Sequence, residues 1–137
     1  MPSEPLTPAG DRERGSAVVD FVLVGVLVVV LLLAVLQVAV YVHLRNVVVA
    51  SAQEGARYAA NADVPAEVGA DRTLEVVGQA TSVATAQGLR CTSVQEAHGS
   101  GLTLVVVRCS GAVPSLLAVL GDLLPLQATG RAVEEAP

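Results

Sequence analysis

One carboxylate stands at the edge of a long apolar run. Asp20 precedes Phe21, and residues 21–36 carry no charged or amide side chain. A charge on a membrane-spanning helix costs roughly 2.5–3.5 kcal/mol at the bilayer centre and less near the interface, so such groups are generally paired and functional. Two readings of Asp20 stand at this point. It is an acid at a helix start, resting in the headgroup region where the helix dipole favours it, or it is a paired, functional group.

The other reactive side chains are few. Cys91 and Cys109 lie far beyond the apolar run, and the only histidines are His43 and His98. Cys91, His98 and Cys109 would make three metal ligands without a fourth and without any short paired spacing, so a disulfide is the expectation for the two thiols and no metal is expected. No serine sits in a nucleophile elbow. The turn-like His98-Gly99-Ser100-Gly101 lacks the Lys and the following helix of a phosphate loop. With no acid, base and nucleophile to assemble, no catalytic residue, cofactor or small-molecule substrate is expected.

Those residues have to be positioned by a chain of 137 residues, of which 53% are hydrophobic but only 2% aromatic. A soluble core of this size normally uses more large rings. The excess of Val, Leu and Ala is concentrated in the first third, which fits a membrane anchor followed by one modest globular part. The net charge is −5, and the eight basic residues are all Arg and scattered. That excludes the clustered basic surface that nucleic-acid binding needs.

Residues 21–42 contain Gln37 as their only strongly polar side chain. As a helix they would be about 33 Å long, close to the roughly 30 Å hydrocarbon thickness of a bilayer. The polar residues 1–15 read as disordered. No signal-peptidase pattern follows the apolar run, so the segment is retained. Arg12 and Arg14 on one side balance Arg45 and Arg57 on the other, leaving the positive-inside count tied. The cysteines break the tie, because a disulfide needs the oxidising side. The amino end is then inside.

Beyond the apolar run, the helical pattern continues to about Ala60, with Ala52, Ala56 and Ala60 forming a small-residue face that lets another backbone approach. Glu54 and Arg57 are polar insertions three apart, spaced to pair on one helix face. Asp63 is a candidate cap and Pro65 a candidate first-turn residue for a helix reaching about Gln87, with Gly88 as its stop. Residues 90–97 and 102–110 read as a hairpin about the turn at 98–101. If the turn is symmetric about Ser100, opposed residues have numbers that sum to 200, and Cys91 faces Cys109. Pro114 ends the hairpin, 115–120 reads as a helical turn or two, and 124–133 as a last strand on the same sheet. The expected fold class is α+β and membrane-anchored: a long amino-terminal transmembrane helix, then a small domain with one helix and a short antiparallel sheet. The expected divisions are residues 1–15, 16–60 and 61–137.

Gly15 followed by Ser16-Ala17-Val18-Val19-Asp20-Phe21 resembles the processing motif of type IV pilin-like proteins. Residues 52–60, with Glu54-Gly55-Ala56-Arg57 at their centre, look like the segment that follows this helix in TadE-like proteins of the Flp, or tight-adherence, pilus system. The acid of that motif is usually Glu, and Asp20 is one methylene shorter. The resemblance implies a pilin-like fold and a bacterial pilus-assembly role of the minor-pilin or pseudopilin type. A prepilin peptidase would cut between Gly15 and Ser16 on the cytoplasmic side. Asp20 would then pair with the terminal amine of a neighbouring subunit, the partners being the bilayer and other Tad pilus subunits. The implied location is the cytoplasmic membrane, with the carboxy-terminal domain outside and entry into the pilus open. The alternative is an uncleaved single-span protein whose outer domain binds a partner or senses the envelope.

Overall fold

The computed structural model describes residues 2–3, 5, 10–114 and 123–136. Three helices, α1 (Gly10–Ala59), α2 (Val68–Ala80) and α3 (Val83–Gln87), precede three strands, β1 (Leu89–Ala97), β2 (Thr103–Pro114) and β3 (Leu123–Val133). The architecture is α+β with a candidate membrane anchor, as the sequence led us to expect. It divides into two units, residues 1–36 and residues 37–137.

In the first unit, α1 is long and apolar enough to cross a membrane. From Glu13 to Leu36 its side chains are exposed, apart from the half-buried Leu33 and Ala34. A helix that is apolar all round needs a partner on every side, which a bilayer supplies. Residues 10–15, read from sequence as disordered, instead form the opening turns of α1. Glu13 there suits the positive end of the helix dipole.

The second unit begins with Gln37, which is only 4% exposed. The apolar stretch read as 21–42 therefore enters the folded domain at its last six residues. From Ser16 to Leu36 the helix is about 30 Å long, which alone matches a bilayer core.

The sheet is antiparallel in the order β1-β2-β3. Its β1–β2 register pairs Leu89 with Gly111, Cys91 with Cys109 and Ala97 with Thr103, each pair summing to 200. Because side chains alternate across a strand, Val105, Val107, Cys109, Leu126 and Ala128 share the inner face, and all are buried. They meet Val48, Ala52 and Ala56 of α1 and Val77 of α2 in one core. Ala59, Ala60, Ala66 and Val105 make a second, smaller cluster.

From Tyr41 onward, helix α1 and the residue after it are tied to β3 and its extension. Tyr41 Oη donates to the Pro125 carbonyl at 3.1 Å. The Arg131 N–H donates to Gln53 Oε1 at 3.0 Å, and the Glu135 N–H donates to the Ala60 carbonyl at 2.8 Å. From Tyr41 to Gln53 the helix rises about 18 Å, and from Pro125 to Arg131 the strand advances about 20 Å. The two elements therefore run parallel and nearly in step.

Between Ala60 and Val68 the expected cap does not form. Asp63 takes a left-handed conformation, φ 66°, which a short polar side chain tolerates in a turn. Helix α2 starts at Val68, preceded by Glu67 without a side-chain cap. The helix expected to continue to Gln87 is also broken in two. Thr81 Oγ1 donates back to the Val77 carbonyl at 2.7 Å, and Ser82 caps α3 by accepting from the Thr85 N–H. The helical turn expected over 115–120 lies outside the described residues.

Candidate functional site

The residues from Gly15 to Phe21 all lie on α1, within its opening turns. Nothing approaches within 4 Å of the position a Cβ would take at Gly15. In a helix the Gly15 carbonyl accepts from the amide four residues on, so its peptide bond is held until that turn opens. Glycine eases that opening, being about 1 kcal/mol less helix-favouring than Ala. Ser16 and Asp20, one turn apart, share a helix face. Asp20 is exposed and forms no ion pair among the described residues, and Phe21 is 79% exposed. Among the described residues, therefore, this carboxylate stands without a cation.

The second group, Glu54-Gly55-Ala56-Arg57, behaves differently. Gly55 and Ala56 are buried, whereas Glu54 and Arg57 are exposed. The expected Glu54–Arg57 pair is not formed; the ion pairs among the described residues are Arg72–Glu75 and Arg108–Glu96. Two outward-pointing, solvated side chains gain little from pairing. The small residues, by contrast, set the distance between elements. A Cβ on Gly55 would stand 2.0 Å from Thr73 Oγ1 and 2.5 Å from the Gly69 carbonyl of α2. A Cβ on Gly130 of β3 would stand 2.2 Å from the Ala52 carbonyl carbon and oxygen. Ala52, Gly55, Ala56 and Ala59 thus form a two-sided seam, with α2 against one side and β3 against the other. Buried Thr73 keeps its hydroxyl satisfied by donating to the Gly69 carbonyl at 2.8 Å.

Sequence reasoning found the α1 side of this seam but not the facing residues. Gly69 and Thr73, four apart on α2, were a readable signal of close approach. Gly130 sat in an otherwise ordinary alternation and gave none. Beside the seam, the Arg72 guanidinium lies over the Tyr58 ring at 5.6 Å, an arrangement that favours a cation on an aromatic face.

Cys91 and Cys109 are bonded, with Cα atoms 4.1 Å apart, on the inner face of the sheet. Cys109 is 2% exposed. His98 sits in the turn at the far end of the hairpin, its backbone closing that turn through Leu102 and Gly101. Among the described residues no group of three potential metal ligands comes together.

A single apolar helix able to cross a bilayer, continued into the seam of a small α+β domain, defines a chain with a membrane-anchor candidate at one end and a domain built around that same helix. Residues 15–57 match the family model for TadE-like protein, the family that the motifs resemble. The matched segment covers the anchor and nearly all of the seam on α1, and it ends before α2. No curated protein and no solved structure matches the chain significantly.

Proposed function

We propose that this protein is a minor pilin or pseudopilin in the assembly of a Flp-type pilus, matured by a prepilin peptidase between Gly15 and Ser16. The observation that carries the reading is the family match over 15–57, which spans both motif groups at their spacing. The protein sits in the cytoplasmic membrane with its amino end inside and residues 61–137 outside, and its partners are the peptidase and other Tad pilus subunits. Cutting after Gly15 releases the amine of Ser16 on the helix face that carries Asp20. In an apolar assembly of helices a lone carboxylate is costly, and a neighbour's amine offsets that cost. Exposure of the apolar helix on all sides supports such neighbours. The Cys91–Cys109 bond suits the oxidising side of the membrane.

The test is the mass of the protein recovered from cells that carry an intact peptidase. A mature chain beginning at Ser16 is expected. Retention of Met1 or Pro2 would overturn processing and leave the uncleaved, partner-binding reading in its place.

A further inference from the structure

The outer face of the sheet carries a basic diagonal beside the apolar Val94, Leu104, Val106 and Val133. Arg90, Arg108 and Arg131 lie on three successive strands, each displaced from the last by two residues of register. Strand spacing and rise place consecutive members of this diagonal about 8 Å apart. An open groove of about 470 Å³ lies at its Arg90–Arg108 end, with Arg90 and Arg108 on its walls and Thr92 and Thr129 as short neighbours. All three arginines are exposed. Glu96, which pairs with Arg108, is the one acid that the register places on this face.

Helix α2 carries the complement. It buries Gly69, Ala70, Thr73 and Val77 and leaves Glu67, Asp71 and Glu75 exposed. These three recur every four residues, about 6 Å apart along one helix face. Arg72 moderates this stripe at Glu75 only. The difference between 8 Å and 6 Å spacing is within the reach of flexible Arg side chains. In one chain the two surfaces cannot meet, because α2 covers the inner face of the sheet and its acids point away from it.

We propose that the basic outer face of the sheet docks the acidic face of α2 from a second copy of this chain. The contact joins two different surfaces, so each docked copy still offers one free basic face and one free acidic face. A heterologous contact of this kind builds rings or open helical arrays rather than closed two-fold dimers. It depends on charge, which orients partners and fixes register more than it adds affinity. The inference does not rest on cleavage or on pilus assembly, and its failure would leave the Ser16 test untouched.

The experiment uses the full chain in cell membranes, with a benzophenone amino acid placed at the position of Thr92. Illumination is expected to give a dimer whose cross-link maps to α2. Arg90→Glu with Arg131→Glu, which leaves the Arg108–Glu96 pair in place, is expected to lower the dimer yield about tenfold. Glu67→Arg with Asp71→Arg should do the same. Co-expression of the two reversed chains should restore the cross-link between them, because the reversed charges again attract. Should reversal loosen the fold, detected as faster reduction of the Cys91–Cys109 bond by an added dithiol and alkylation of the freed thiols, Arg90→Gln with Arg131→Gln is expected to cost about threefold. The proposal is overturned by a dimer yield that ignores the charge changes on either face, or by failure of the paired reversals to restore it. It is equally overturned by a cross-link that maps outside α2 or to another protein.

Discussion

Replacing Gly55 by Ala is expected to destabilise the second unit more than its size suggests. The added methyl would lie 2.5 Å from the Gly69 carbonyl oxygen, about 0.9 Å inside the 3.4 Å at which ordinary contact begins. Thr73 Oγ1 can swing aside only by giving up its bond to that same carbonyl. The carbonyl belongs to the backbone of α2 and cannot rotate away, so α1 and α2 must separate. Separation would open the core shared by Ala52, Ala56 and Val77. Overpacking costs about 1–3 kcal/mol, and a backbone obstacle puts Gly55→Ala at the upper end. For a domain of this size each kcal/mol lowers the melting temperature by about 4–8 °C, so a fall of about 12–24 °C is expected. The chain has two tyrosines and no tryptophan. Tyr41 and Tyr58 both belong to the second unit, so tyrosine fluorescence of the full protein in detergent follows that unit alone. Gly25→Ala is the control, since nothing lies within 4 Å of its added methyl. Equal melting of Gly55→Ala and Gly25→Ala would refute the close-approach argument.

Loss of the Cys91–Cys109 bond, which spans 18 residues of sequence, should remove about 3 kcal/mol. The same fluorescence melt of Cys91→Ala with Cys109→Ala should fall by more than about 10 °C, and reductant should shift the wild-type protein equally. Gln53→Leu withdraws the acceptor from the Arg131 N–H on the β3 edge. A loss of about 1 kcal/mol is expected, together with faster hydrogen exchange at the Arg131 amide; unchanged exchange would show that the Gln53 bond does not protect that amide.

The hairpin was readable because its information is local. Cys91 and Cys109, the turn at 98–101 and the run Leu104-Val105-Val106-Val107 all constrain one register, and the sum of 200 holds from Leu89 to Thr103. The small-residue face of α1 was readable for the same reason, since its spacing is written along one helix. What faces it was not, because Gly130 meets Ala52 across 78 residues of sequence and nothing in the local pattern marks that pairing. The division between α2 and α3 was marked by Thr81-Ser82, a hydroxyl that bonds backward followed by one that caps forward. Helical spacing of the apolar residues across 64–87 hid it. Asp63 failed as a cap because the chain had to turn before a helix could start, and its left-handed backbone serves that turn. The division between the two units at residue 37 could not be placed from composition, since Val38, Val40 and Val42 are as apolar as the residues before them. Only the packing of Gln37 into the second unit distinguishes them.

The ties between α1 and β3 also decide how the domain bears load. Tyr41, Gln53 and Ala60 hold Pro125, Arg131 and Glu135 at intervals that match along both elements. A pull on α1 along its axis at residue 37 is therefore shared among all three bonds and the seam between them, as shear. Peeling, which would break them in turn, needs a sideways force. The domain thus resists tension best along the direction of the helix that holds it.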